Sequence, residues 1–382
     1  MRITNRFELG PFFTFEPSKE KPIYNWFFYK EAFSPEFVEK TLDDFGITAG
    51  NVLDPFSGIG TTALAAKSRR LQAHGLDASP LAVFAGMVKT RNYTQADVDA
   101  VEGFMKNVFQ EKTQPRIRWD FELFRIEKAF PPANLRDMLS VREKIAQVEN
   151  QNAHNLLLLA LVSIIPMCSF VLKDGGVLRI AKKSVAPVRE MFKRRVKRMV
   201  SDIAEHQVVG PEPEIYLADA RDMPFDSETM DAVITSPPYL NNIDYTKVYG
   251  LELSLLEMDP ESARVARARS LRSFITSSAS VPEIPPELGE IGHRIPVAGT
   301  YFSDMEKVLY ETFRVLRPKC SASFVVGNAV IHETHIAVDE ILAEMGERIG
   351  FESEIRVGLE RIADVRPAKV KTRESAVIFK KP

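Results

Sequence analysis

The sequence is poor in the residues that build covalent or metal-held scaffolds. Two cysteines, Cys168 and Cys320, stand in 382 residues, too few for a disulfide framework or a cysteine-rich zinc site. The six histidines show no HExxH or HxxxH spacing, so no metal centre is expected. Strong net charge is also missing. Fifty Lys plus Arg face 52 Asp plus Glu, a formal net charge of -2, which excludes a uniformly cationic packer of nucleic acid. Long apolar runs are scarce. Met1 to Asn5 carry none of the apolar stretch of a secretory signal. One uncharged run, Leu156 to Leu172, is interrupted by Ser163, Pro166, Cys168 and Ser169 and falls short of the ~20 apolar residues that a bilayer needs. It predicts a buried helix ending near Pro166. These absences point to a reducing cytoplasm and no membrane partner.

What remains is globular. Hydrophobic residues make up 45% and charged residues 27%, which is not the composition of a disordered chain or a fibre. At ~150 residues per domain, the length suggests two units or one domain with large insertions. Asn51-Val52-Leu53-Asp54 predicts a short buried strand, followed by the turn Ser57-Gly58-Ile59-Gly60 and a helix through Thr62 to Lys67. Ala73 to Asp77 predicts a second strand, and Ser79-Pro80 a capped helix start. Strand, helix, strand, helix at this spacing implies a parallel sheet. The pattern resumes with strands at Glu214–Asp219, Ala232–Thr235, Ala322–Gly327, Glu354–Gly358 and Ala376–Phe379, and an amphipathic helix at Phe302–Leu316. Between the halves lies a mostly helical insertion. The expected organisation is residues 1–93 as the first part of a catalytic domain, 94–209 as the insertion, and 210–382 as the second part with a smaller insertion at about 259–300.

Ligands of open parallel sheets bind beyond the C-terminal strand ends, and three such ends carry informative residues. The first is Asp54-Pro55-Phe56-Ser57-Gly58-Ile59-Gly60-Thr61-Thr62, where glycines let the backbone pass close to a ligand. The second is Asp77-Ala78, placed to accept hydrogen bonds from a ribose diol. The third is Asp219-Ala220, where an acid can reach an adenine edge. A dinucleotide reading also fits formally, as GxGxxA with an acid 17 residues after Gly60. Asp54 argues against it, because an acid there suits a cationic group better than a pyrophosphate. The fourth feature is Ser236-Pro237-Pro238-Tyr239, directly after a buried strand. Two prolines cannot donate hydrogen bonds and hold the backbone extended. The Ser236 hydroxyl and the Pro237 carbonyl can then converge as acceptors on one planar amino group, and Tyr239 offers a ring to stack on a flipped base.

Together these segments resemble the amino-methylating DNA methyltransferases, which methylate cytosine N4 or adenine N6 with S-adenosylmethionine. The resemblance covers about residues 20–95 and 210–380. It extends to Tyr24-Asn25-Trp26-Phe27-Phe28-Tyr29-Lys30-Glu31-Ala32-Phe33-Ser34-Pro35, similar to an aromatic segment that closes over the methionine moiety, and to Val326-Gly327-Asn328 and Arg373-Glu374-Ser375, similar to later core segments. It implies a Rossmann-like class I α/β fold with a mostly parallel, doubly wound sheet. It implies S-adenosylmethionine as cofactor, held by Phe28, Tyr29, Asp54, Pro55, Phe56, Ser57, Gly58, Gly60, Thr61, Asp77, Ala78, Asp219 and Ala220. It implies catalysis by Ser236, Pro237, Pro238 and Tyr239. Ser at the first of these leans toward cytosine N4, since Asp and Asn are commoner for adenine N6.

Rivals fit less well. A tRNA guanine-N2 methyltransferase would carry an RNA-binding domain before the glycine motif and Asp at 236, and only ~50 residues precede that motif. A protein-glutamine methyltransferase would prefer Asn at 236. A non-catalytic module would not need the acids at 54, 77 and 219 and the Ser-Pro-Pro-Tyr segment all intact. C5-cytosine chemistry needs a nucleophilic cysteine, and neither cysteine lies near a motif. DNA is the expected partner, with RNA as the alternative. From Lys173 to Val200 the chain has ten Lys or Arg against two acids, suited to phosphate contact. The candidate contacts are Lys193, Arg194, Arg195, Lys197 and Arg198, then Arg264 and Arg267 in the second insertion, with Asn242 after the catalytic turn.

Overall fold

A computed structural model gives the fold and describes residues 1–110, 114–174, 176–240, 245–258, 271, 283–331, 333–365 and 368–382. The candidate contacts Asn242, Arg264 and Arg267 lie outside the described residues. The frame is an eight-stranded sheet. Its strands in chain order are β1 (Arg2–Asn5), β2 (Asn51–Asp54), β3 (Gln72–Asp77), β4 (Glu214–Leu217), β5 (Met230–Thr235), β6 (Leu316–Gly327), β7 (Glu352–Val365) and β8 (Ala368–Lys380). Across the sheet they run β1-β7-β8-β6-β5-β2-β3-β4. Strand β8 is antiparallel to both its neighbours, and every other pairing is parallel. The expected doubly wound α/β sheet therefore forms. In β2 and β5, Val52, Leu53, Ala232, Val233 and Ile234 are fully buried, as strands covered on both faces must be.

From β2 the chain lays down β3 and β4 on one side, then returns to place β5 on the other. The strand order thus reverses between β2 and β5, and a crevice opens above their C-terminal ends. Helix α1 (Pro35–Asp44) precedes β2, α2 (Thr61–Ser68) follows it, and α3 (Pro80–Thr90) follows β3. Ser79 caps α3 by accepting from the Ala82 N–H, with Pro80 at the first helical position, where its missing N–H costs nothing.

The insertion contributes α4 (Gln95–Asn107), α5 (Pro132–Ile145), α6 (Gln151–Ser163) and α7 (Val188–His206). The uncharged run forms the second half of α6, where every residue from Leu156 to Ser163 is buried. A helix apolar on all sides belongs in a core, and among the described residues no helix is long and apolar enough to cross a membrane. The insertion also holds a hairpin that the helical reading missed, Val171–Asp174 paired with Val177–Ile180. Its signal was Asp174-Gly175-Gly176 between short apolar runs.

Among the described residues, the insertion has no core of its own. Leu156 to Val162, Phe192 and Val196 share one cluster with Trp26, Phe27, Ile59, Leu81 and Tyr249. A buried carboxylate fastens this junction: Asp202 of α7 accepts from Trp26 Nε1 at 2.8 Å and from the Ile23 backbone N–H at 3.2 Å. Ile23 has φ 67°, costly for a β-branched residue, and its bond to Asp202 helps to hold it there. Removing this acceptor strands two buried donors, so Asp202→Ala is expected to lower stability by about 2–4 kcal/mol. Urea unfolding of the two proteins measures it.

Candidate active site

A cleft of about 390 Å³ lies above the ends of β2 and β5. Residues 54–58, Thr61, Asp77, Ala78, Asp219, Ala220, residues 236–239 and Tyr29 all line it. Sequence segments up to about 200 residues apart therefore converge as the strand-end argument requires. Two expected cofactor residues are placed elsewhere. Phe28 is 52% exposed and packs edge-on against Phe15 with Lys19 above its ring, while its neighbour Tyr29 lines the cleft. Gly60 caps α2 with φ 78°. A Cβ there would meet the Gly86 backbone at 3.0 Å, so the glycine lets α2 and α3 approach closely.

Asp54 holds the floor of the cleft. Its carboxylate accepts from Thr235 Oγ1 at 2.6 Å, from Thr62 Oγ1 at 2.7 Å and from the Phe56 N–H at 3.1 Å. It is 2% exposed, and burial pushes its carboxyl up to about 6 against these bonds. Behind the loop, the buried Lys89 ammonium donates to the Ile59 carbonyl at 3.0 Å. Asp77 closes the next strand. One oxygen accepts from the Gly58 N–H at 2.9 Å and the other from the Ser79 N–H at 2.8 Å. Gly58 has φ 49°, the left-handed region that glycine enters without cost, and this turns its N–H toward the acid. Burial again raises the carboxyl to about 6. Asp219 differs from expectation. Its oxygens are taken up by the Arg221 backbone and guanidinium at 2.6–3.1 Å, and Arg221 also pairs with the fully buried Asp304 at 3.0 Å.

Ser236 follows β5, and its hydroxyl donates to the Val325 carbonyl of β6 at 3.1 Å. The proton is thereby committed, and the oxygen lone pairs remain as acceptors. Tyr239 packs on Gly327, where a Cβ would stand 3.0 Å from its ring. On the far side, Tyr249 stacks on Tyr29 with centroids 4.6 Å apart and planes at 20°. The Tyr249 hydroxyl donates to Glu31 at 2.6 Å and accepts from the Lys30 N–H at 3.2 Å. Lys173 of the insertion hairpin lies 3.7 Å over the Tyr249 ring and pairs with the buried Glu252 at 2.8 Å. Sequence reasoning missed Tyr249, which no motif marks; it placed Glu31 only within the aromatic N-terminal segment and Lys173 only at the start of the basic stretch. It noted Glu374 only within a core segment, and the structure puts it in the cleft wall.

Away from the cleft, Lys193, Arg194, Lys197 and Arg198 are exposed along one side of α7. Arg195 is not part of that stripe: it is half-buried and donates to the Asn25 carbonyl at 3.1 Å. Cys168 is buried, and burial pushes its thiol up to about 12, the opposite of an activated nucleophile.

Asp54 and Asp77 both have carboxyls raised from an ordinary 3.8 to about 6. Their ionisation therefore opposes folding, and the stability that each contributes when protonated is lost as pH rises from about 4 to 6. Relative to Asp77→Asn, the ligand-free wild-type chain is expected to lose stability across that window. Denaturant midpoints at pH 4.5 and 6.5 for both proteins test the sign.

No protein-family model matches the chain. The type II methyltransferase M.BsoBI of Geobacillus stearothermophilus is 26% identical over 448 aligned positions, covering 97% of this chain and 87% of that protein. M.AvaI of Nostoc sp. strain PCC 7120, also a type II methyltransferase, is 26% identical and covers 89% of this chain and 81% of its own. Among solved structures, an S-adenosylmethionine-dependent methyltransferase from Methanosarcina mazei aligns over 89% of this chain and 96% of its own, at 10% identity and a TM-score of 0.33. The chain is thus similar over most of its length to two type II methyltransferases, and its sheet has the doubly wound α/β order that the sequence implied.

Proposed function

We propose that the chain transfers a methyl group from S-adenosylmethionine to an exocyclic amino nitrogen of a base in DNA, cytosine N4 before adenine N6. The observation that carries this reading is Ser236. Its proton is engaged by the Val325 carbonyl, its lone pairs are left as acceptors, and it stands at the head of Pro237-Pro238-Tyr239 in an acid-lined cleft. The names of the two relatives, both type II methyltransferases, support DNA as the substrate class.

The donor set suits the cofactor. Glu31, Asp54, Asp77, Asp219 and Glu374 line the cleft against Lys30 and Arg361, an excess of acid that favours a cationic ligand. Asp77 would accept from the ribose hydroxyls, and the Gly58 loop would let the backbone approach. Tyr29 would cover the methionine end. Asp54 would act through its field, since Thr62, Thr235 and Phe56 already use its oxygens. When bound, the cofactor supplies a methyl group on a sulfonium centre.

The residues of the chain prepare the acceptor. Ser236 Oγ and the Pro237 carbonyl accept hydrogen bonds from the two amino N–H groups and draw the nitrogen lone pair out of conjugation with the ring. Tyr239 stacks on the base and fixes its plane. Holding the nitrogen in line with the methyl group supplies much of the rate. The C–S bond breaks as the C–N bond forms, and the surplus proton of the resulting cationic nitrogen passes to solvent. The exposed cations at 193, 194, 197 and 198 meet phosphates, and the enclosed cleft selects an extruded base.

The deciding experiment incubates the chain with methyl-labelled cofactor and duplex DNA, single-stranded DNA or tRNA, followed by nucleoside analysis. Label in N4-methylcytosine of DNA is expected, and label confined to tRNA would sink the reading. Ser236→Ala and Tyr239→Ala are each expected to lower kcat about 100-fold or more and to leave cofactor affinity, read by calorimetry, within a factor of about three. Replacing Lys193, Arg194, Lys197 and Arg198 together by Ala should reduce the slope of log affinity for DNA against log salt by about 3–4. An unchanged slope would show that α7 does not touch the duplex.

A further inference from the structure

Strands β7 and β8 outrun the sheet. Strand β8 pairs with β6 only as far as Glu374 opposite Gly327, whereas β7 and β8 stay paired beyond that level, from Glu360 opposite Arg373 to Val365 opposite Ala368. The two-stranded ribbon leaves the sheet at the strand end where the cleft opens, and its first exposed cation there is Arg361. In the ladder Leu359 faces Glu374 and Arg361 faces Thr372, which makes Arg361 and Glu374 diagonal neighbours on one face. Arg361 Nη2 meets Glu374 Oε1 at 2.9 Å, and both residues line the cleft.

The two partners are unequal. Glu374 is buried and fixed by the ladder, and burial raises its carboxyl while Arg361 lowers it. The Arg361 side chain is 54% exposed. Glu374 therefore holds one corner of the guanidinium of a half-exposed arginine that lines the cleft. Tyr239 borders the same spot: a Cβ on Gly327 would stand 3.0 Å from the Tyr239 ring and 3.5 Å from Glu374 Cγ. Along β6, Ser236 is tied at Val325 and Tyr239 packs at Gly327. A base stacked on Tyr239 with its amino group at Ser236 has the rest of its pairing edge beside this pair.

We propose that Arg361, aimed by Glu374, reads the pairing edge of the extruded base, and that the edge it fits is that of cytosine. The inference rests on the base-methylating function proposed above and names the specificity residue of that site. Next to its amino group cytosine carries two neighbouring acceptors, N3 and O2, whose spacing matches the parallel donors of a guanidinium fork. Adenine offers one acceptor, N1, followed by a C–H, and engages half of the fork. Thymine presents an N–H donor at N3, which opposes an arginine that can only donate.

The test uses the full chain, unmethylated plasmid DNA and labelled S-adenosylmethionine, with wild type, Arg361→Met, Arg361→Lys and Glu374→Gln. Thermal unfolding and cofactor affinity are measured beside methyl transfer. Wild type should label N4-methylcytosine. Arg361→Met should lose about 10- to 100-fold in kcat/KM for DNA, the range of one bidentate base contact, with cofactor affinity and melting temperature kept. Arg361→Lys should recover only part, because a point charge cannot span two acceptors. Glu374→Gln should lose less than Arg361→Met. Wild-type kcat/KM in Arg361→Met, an equal loss of cofactor affinity in it, or label from wild type in N6-methyladenine alone would each overturn the assignment. A wild-type chain that binds cofactor but labels no DNA would overturn the proposed function itself and this inference with it.

Discussion

The whole arrangement depends on one buried carboxylate. Asp54 ends β2, and its two oxygens gather a hydroxyl from β5, a hydroxyl from α2 and the backbone N–H of Phe56. The two strands that flank the crevice are thereby tied at the level where the crevice begins. Thr235, one of these donors, is the residue before Ser236. The acid that shapes the glycine loop therefore also sets where the Ser-Pro-Pro-Tyr segment departs from the sheet. Such a group is costly to bury without partners and valuable with three. The same burial that lifts its carboxyl toward about 6 makes its hydrogen bonds strong.

A second tie runs across the mouth of the cleft. Tyr29 from the N-terminal segment, Tyr249 from the turn just before the helix Gly250–Glu257 and Lys173 from the insertion hairpin form one stack, with Glu31 and Glu252 accepting at its edges. Three stretches far apart in sequence thus build a single wall. In a low-dielectric setting, the ammonium over the ring and the carboxylate beside it reinforce one another. Charge here is organised pair by pair, so that a chain balanced near neutrality presents an acidic cleft and, on α7, a cationic stripe.

The parts of this design legible in the sequence are those in which local chemistry has few alternatives. A short buried strand ending in Asp54 and followed by glycines, and Ser-Pro-Pro-Tyr directly after Thr235, are each expected at a strand end, and both line the one cleft. Asp77 and the capped start of α3 follow from the same logic. Side-chain direction was harder to read. Phe28 and Tyr29 are adjacent aromatics, yet one faces solvent and the other the cleft. Asp219 sits at the expected strand end, but Arg221, two residues on, occupies its oxygens, a local pairing that no motif encodes. Arg195 belongs to a basic run whose neighbours are exposed, and the helical turn carries it inward to Asn25. Glu374 and Arg361 meet through a cross-strand diagonal, which sequence order does not reveal until the register is known.

The shared core of the insertion bears on how such a protein can change over time. A domain attached by a linker can be exchanged between relatives as a cassette. Here Trp26 and Ile23 are bonded to Asp202 on α7, and the apolar side of α6 packs in the same cluster as Leu81 and Tyr249. The inward faces of the insertion are obliged to vary together with the sheet-bearing part of the chain, residue against residue. Only the outward faces, such as the cationic side of α7, are free to drift. New contacts with a partner can therefore be acquired by repainting a surface on a fixed frame, and not by swapping the piece that carries it.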